Sequence, residues 1–222
     1  CNVGEVVVLL LATLGAPLIC KIFGISNVAA LQVLMPIHIL WINLVTDTFP
    51  ALALAFDPAN KDIMNRKPIK RDEGIFTKGR TFRIVYQGIM IGILTLIAFL
   101  IGLGTTDTAI SGLTLEQTKI EVGQTMAFTV LAFSELIHVF NIRDNKNSIF
   151  KTGILGNNIL ILSVLASALL MGIILIIPSL RAIFSIPILP AGNILEIILL
   201  IVAPIIIVEI LKLLKINTVK GE

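Results

Sequence analysis

"FRIVYQGIMIGILTLIAFLIGLG", residues 82–104, carries one charge, Arg83, in 23 positions. At 1.5 Å per residue a helix of this length reaches about 35 Å, enough to cross a hydrocarbon core of about 30 Å. The stretch therefore predicts a transmembrane helix. Five further segments read the same way: about 1–19, 34–57, 122–141, 154–177 and 193–214. The whole chain of 222 residues is 56% hydrophobic and only 14% charged, with a mean hydropathy of +1.00. A soluble domain of this size needs more charged surface than that. The expected fold is an all-α membrane protein, a bundle of six transmembrane helices forming one domain over residues 1–222. The chain opens on Cys1 inside an apolar run, as expected of a segment of a longer protein. Cys1 and Cys20 form neither a metal-binding spacing nor a disulfide framework.

Basic residues orient the bundle, because short cytoplasmic loops concentrate lysine and arginine. The stretch 58–83 holds eight of them: Lys61, Arg66, Lys67, Lys70, Arg71, Lys78, Arg80 and Arg83. Arg143, Lys146 and Lys151 follow the fourth span, and Lys212, Lys215 and Lys220 close the chain. The alternate connections hold only Lys21, Lys119 and Arg181. Fourteen against three makes the loops 58–81 and 142–153 cytoplasmic, together with the C-terminus. This pattern uses up the basic residues, so the net charge of +3 implies no nucleic-acid partner.

Against this apolar background, three acids lie well inside spans: Glu5, Asp47 and Glu135. A carboxylate at a membrane helix centre costs roughly 2.5–3.5 kcal/mol on insertion scales, and intramembrane carboxylates mark ion or proton paths by default. Their neighbours are polar too. Asn2 lies three residues before Glu5, and Asn43 four before Asp47, so each pair shares a helix face. Thr46 adds a hydroxyl. These six side chains offer hard oxygen donors and no thiolate, which suits Ca²⁺, Mg²⁺ or Mn²⁺. In "WINLVTDTFPA", residues 41–51, Pro50 cannot donate to the carbonyl four residues back, which is that of Thr46. The second span is therefore expected to be locally unwound around Asn43–Pro50, with backbone oxygens offered to a cation. His138, three residues after Glu135 and on the same face, is expected to hydrogen-bond within the site or to brace it. His38 reads as interfacial, and Glu209 with Lys212 as a structural ion pair.

"NVGEVV" at 2–7, "WINLVTDTFPALAL" at 41–54 and "DIMNRKP" at 62–68 resemble P-type ATPases of the type II calcium-pump group. The likeness is to sarco/endoplasmic-reticulum-type pumps in a bacterial-looking version with short loops. It implies that the six spans correspond to pump helices 5–10. It further implies that Asn2, Glu5, Asn43, Thr46, Asp47 and Glu135 are Ca²⁺ ligands, with Asp47 shared between two ions. A further glutamate would come from the fourth helix. The implied partners are helices 1–4, the cytoplasmic domains of the same pump and the lipid bilayer, and the implied location is a bacterial plasma membrane. Mg²⁺ and ATP belong to the cytoplasmic domains. No Asp-Lys-Thr-Gly-Thr phosphorylation motif or nucleotide-binding loop occurs in these 222 residues, so they alone should not hydrolyse ATP. Phe133 and His138 flank Glu135 where animal pumps differ. Sodium–potassium pumps share "TD…PA" but lack "NLVTD".

The function expected from the resemblance is Ca²⁺ export from the cytoplasm, with proton counter-transport as the emptied carboxylates take up protons. A pump for Mn²⁺, Na⁺ or H⁺ is the alternative. A passive channel or secondary carrier would favour an internal repeat, and none is visible between 1–111 and 112–222. A non-catalytic accessory region is a further possibility.

Overall fold

The computed structural model describes residues 2–58, 74, 77–143, 149 and 156–214. Every regular element among them is helical. Helix α1 spans Asn2–Phe23 and is followed by a 3₁₀ turn at Val28–Ala30. Helix α2, Pro36–Trp41, runs into a π-helical turn at Ile42–Thr46 and then into α3, Thr48–Leu54. Helices α4, Lys78–Gly104, and α5, Leu115–Ile142, are the two longest. Helix α6, Asn158–Ile176, passes to a short α7, Pro178–Ile183, before α8, Ala191–Leu213. Six helical segments are long and apolar enough to cross a membrane, with α2, the π turn and α3 together forming one. The protein is an integral membrane protein. Most of the basic residues of loops 58–81 and 142–153, the motif at 62–68, Cys1, and the tail residues Lys215 and Lys220 lie outside the described residues.

Local chemistry sets the helix starts. Thr77 caps α4 by accepting from the Arg80 N–H, and Asn157 caps α6 by accepting from the Leu160 N–H. Pro36 and Pro178 occupy first-turn positions of α2 and α7, where a missing N–H costs nothing. Helix α5 begins seven residues before the expected 122. Its start is a capping box in which Thr114 Oγ1 accepts from the Gln117 N–H and Gln117 Oε1 accepts from the Thr114 N–H. The apolar run gave no sign of it, because Glu116, Lys119 and Glu121 make the first two turns polar.

Helix α5 is the axis of the bundle. Inside its span 78% of residues are buried, against 22–39% in the other five, although its hydropathy is near the lowest. It packs on α4, α8, α6 and the π turn. Glycine permits the closest approach: a Cβ on Gly102 of α4 would stand 2.6 Å from the Gly123 Cα of α5. The outward faces of α1, α6 and α8 present Leu10, Leu14, Leu18, Leu162, Leu169 and Leu199 to lipid.

Candidate functional site

The second span is widened rather than broken. In the turn Ile42–Thr46 the Asp47 N–H reaches five residues back to the Ile42 carbonyl at 2.9 Å. The helix resumes at Thr48, so Pro50 falls in the first turn of α3 and the chain stays helical through it. This corrects the expectation of an unwound stretch reaching Pro50. The physical reason is that the π turn starts a new helix just before the proline, at a position where its missing N–H is tolerated. The widened turn offsets the backbone ladder, and side chains take up its carbonyls. Asn43 Nδ2 donates to Ile39 O at 3.0 Å, and Thr46 Oγ1 donates to Ile42 O at 2.8 Å. Thr48 Oγ1 donates to Asn43 O at 3.0 Å, and Ser167 Oγ of α6 donates to Val45 O at 3.1 Å. Pro50 has no N–H to offer the Thr46 carbonyl. Such π turns in helices frequently mark functional positions.

Asn43 joins α1 to this turn. Its Oδ1 accepts from Asn2 Nδ2 at 3.0 Å, and its Nδ2 donates to both carboxylate oxygens of Glu5, at 3.0 and 2.9 Å. Asn2, Asn43 and Glu5 therefore form one hydrogen-bonded row across two helices. Beside it lies a cavity of about 390 Å³, lined by Asn2, Asn43, Thr46, Asp47 and Glu135, with Pro50 and Thr48 at its edge. Glu135, from the central helix, is 4% exposed and lines the same cavity as Asp47. Two carboxyl groups in one such cavity repel each other unless a cation or a proton lies between them.

Five of the six expected ligands thus share one cavity, while Glu5 is buried behind Asn43 with both oxygens engaged. Among the described residues, no three acidic, histidine or cysteine side chains converge closely enough to hold a metal ion. The arrangement can concentrate oxygen donors and negative charge at one depth, with Glu5 held by Asn43 behind it.

The histidines differ from one another. His38 is fully buried within the protein. Its Nδ1 accepts from the Met35 N–H at 3.3 Å, so Nε2 carries the hydrogen and donates to the Phe184 carbonyl at 2.8 Å. Its ring stacks on Phe128 with centroids 4.4 Å apart. Phe128 and Phe184 are distant in sequence, so the apolar pattern gave no sign of these contacts. His138 is fully buried too, and neither ring nitrogen has a hydrogen-bond partner among the described residues. It does not line the cavity.

Two features braced by charge lie toward the far ends of α3 and α5. Lys212 Nζ meets Glu209 Oε1 at 3.1 Å, the ion pair read from the sequence. Arg143 Nε meets Asp57 Oδ1 at 2.9 Å, and Asn157 Nδ2 donates to the same oxygen and to Ala53 O, both at 3.1 Å. Sequence reasoning missed this second knot. Only the helix-capping character of Asn157 hinted at it.

Residues 31–214 match the family described as cation transporting ATPase, C-terminus. The chain is 40% identical over 222 residues to calcium-transporting ATPase 1 of Bacillus cereus, covering 98% of this chain and 23% of that protein. It is 37% identical to a calcium-transporting ATPase of Bacillus subtilis, over 82% of this chain and 18% of that one. The endoplasmic reticulum calcium ATPase of Aspergillus fumigatus is 29% identical over 83% of this chain and 20% of its own length. The chain spans about a quarter or less of the length of these relatives.

Proposed function

The chain belongs to the family of cation-transporting ATPase C-terminal regions, and from that premise we propose that it is the ion-binding membrane domain of an ATP-driven calcium pump. In this reading the full-length protein exports Ca²⁺ from the cytoplasm across a bacterial plasma membrane and carries protons back. Phosphorylation, ATP and Mg²⁺ belong to cytoplasmic domains outside these 222 residues, and the C-terminus faces the cytoplasm. Helices 1–4 of the same pump are the immediate partner.

The observation that carries the reading is the cavity shared by Asn2, Asn43, Thr46, Asp47 and Glu135 beside a π turn inside a membrane span. Ca²⁺ takes six to eight oxygens in flexible geometry. Two carboxylates, two amides, a hydroxyl and the Thr46 carbonyl supply that kind of donor set. Glu5 is the reserve: releasing Asn43 would bring a third carboxylate to the ion. The names of the relatives favour Ca²⁺ over Mn²⁺, Na⁺ or H⁺ as the cargo.

The reading ascribes proton return to the same carboxylates. Once Ca²⁺ leaves, Asp47 and Glu135 face each other across a cavity of low dielectric, and a proton between them relieves the repulsion. The test is calcium-dependent phosphorylation of the full-length protein by ATP. Asp47→Asn should abolish it, with phosphorylation from inorganic phosphate retained. Wild-type calcium-dependent phosphorylation in Asp47→Asn would sink the proposal.

A further inference from the structure

Five buried polar atoms near the end of α5 have no hydrogen-bond partner among the described residues: Ser134 Oγ, both ring nitrogens of His138, and Nδ2 and Oδ1 of Asn141. The three residues are at most 1% exposed. Positions 134, 138 and 141 are spaced by four and three, so they share one helix face. Buried polar side chains toward the start of α5 are paired instead. Thr125 and Thr129 donate to carbonyls one turn back at 2.8 and 2.7 Å, and Gln124 donates to Gln32 O at 2.8 Å. We propose that water bound along the Ser134–His138–Asn141 face forms a file that conducts protons between the carboxylate cavity and the C-terminal end of the bundle. The proposal rests on the pump reading and gives its returning protons their route.

Buried polar groups find partners in protein or in bound water, and one bound water bonds about two to four such groups. The spacing suits water. Along the helix axis Ser134 and His138 stand about 6 Å apart, and His138 and Asn141 about 4.5 Å, at a rise of about 1.5 Å per residue. A water that bonds two groups spans about 5.6 Å, twice a hydrogen-bond length of about 2.8 Å. Single waters can therefore link the three residues in series. Hydroxyl, neutral imidazole and amide each both donate and accept, as a proton relay requires. The imidazole takes a proton on one nitrogen and gives up the proton on the other, so it ends neutral. A half-turn of the ring then restores the starting tautomer.

The two ends of the file have distinct surroundings. Ser134 adjoins Glu135, which lines the cavity. Asn141 is the last residue but one of α5. Its carbonyl accepts from Lys212 Nζ at 3.4 Å, and Lys212, in the last turn of α8, also meets Glu209. The file thus runs from the level of the carboxylates to the point where two membrane spans end, over about 10 Å of helix. His138, midway, is fully buried and does not line the cavity. Such an enclosed path admits proton hops between single waters and leaves no room for a hydrated metal ion.

The experiment uses the full-length protein in sealed vesicles with ATP added outside. Pulsed X-ray radiolysis makes hydroxyl radicals from bound water, and mass spectrometry reads the oxidation of each side chain. His138 should be oxidised roughly tenfold faster than Phe99, which is equally buried but sits in the apolar core. Equal rates overturn the water file. Transport is read next, as Ca²⁺ uptake and as proton release on the ATP side. His138→Leu should slow proton release at least roughly tenfold, the scale of losing a proton-transfer group. The Ca²⁺ concentration for half-maximal phosphorylation should not move. His138→Gln, whose amide still bonds water, should restore most of the proton release. Asn141→Leu should act as His138→Leu does, and it covers the case in which that variant does not fold. Unchanged proton release in both leucine variants overturns the proton role. Parent vesicles that take up no Ca²⁺ overturn the pump reading and the proton role together, while radiolysis still decides the water file.

Discussion

The side-chain amide of Asn43 holds both oxygens of the Glu5 carboxylate, at 3.0 and 2.9 Å, across the gap between the π turn and α1. One residue thus ties a buried acid to the only described helical segment whose backbone ladder is widened to five-residue steps. Moving either partner moves the other.

Asn43→Ala removes that donor and leaves Glu5 buried without it. A buried acceptor stripped of its partner costs about 1–3 kcal/mol. The full-length protein should lose thermal stability by that amount. Calcium activation of phosphorylation should shift to at least tenfold higher Ca²⁺, the equivalent of about 1.4 kcal/mol. A melting curve and a Ca²⁺ titration check both numbers.

Pro50→Ala restores an N–H opposite the Thr46 carbonyl. Because Pro50 lies in the first turn of α3, where proline is tolerated, stability should change by less than about 1 kcal/mol. Calcium affinity should fall severalfold, as the carbonyl is drawn into the helix ladder. Equal calcium affinity in variant and parent would show that the Thr46 carbonyl takes no part.

His138→Leu separates packing from chemistry. The imidazole is buried, and its nitrogens lack partners among the described residues. Replacing such a group by an apolar one of similar size should be neutral or stabilising, by up to about 1 kcal/mol. Calcium affinity should hold. A weakened Ca²⁺ titration would instead assign His138 to the ion site.

His38→Ala should be the most damaging change at the outer end. It deletes a buried bond to Phe184 O and a stack on Phe128. The combined loss is about 2–4 kcal/mol. His38→Gln, which can still donate to the carbonyl, should recover part of it. Comparing unfolding midpoints of the two variants tests the assignment.

Arg143→Ala breaks the knot that Asp57 makes with Arg143 and Asn157. Since Arg143 is almost wholly buried and Asp57 is partly exposed, the expected loss is about 2 kcal/mol, between surface and deeply buried pairs. Asp57→Asn keeps the hydrogen-bonding shape and should lose less. Thermal melts of the two variants rank them.

Asn43 and Asp47 stood out because hydrocarbon makes any polar residue conspicuous: a single chain suffices to see the anomaly. The six spans were legible for the same reason. The π turn was not. Its cause is a set of side chains, Thr46, Thr48 and Ser167, that accommodate offset carbonyls, and Ser167 arrives from a helix more than a hundred residues away. The partners of His38 were hidden similarly, since Phe184 lies 146 residues downstream. The Asp57–Arg143–Asn157 knot joins three helix ends 86 and 100 residues apart. Periodicity reports which face of a helix is apolar, not which neighbour that face meets.

The burial of α5 bears on how the protein is made. This helix carries Glu121, Gln124 and Glu135 and is near the least hydropathic of the six spans, yet it is the one most enclosed by protein. A segment of that kind gains little from lipid alone, because polar side chains are costly there until partners cover them. Its entry into the bilayer during synthesis must then lean on α4, already emerged and matched to it at Gly102 and Gly123. Gly102 and Gly123 thereby bear on membrane assembly by letting α4 cover α5 closely.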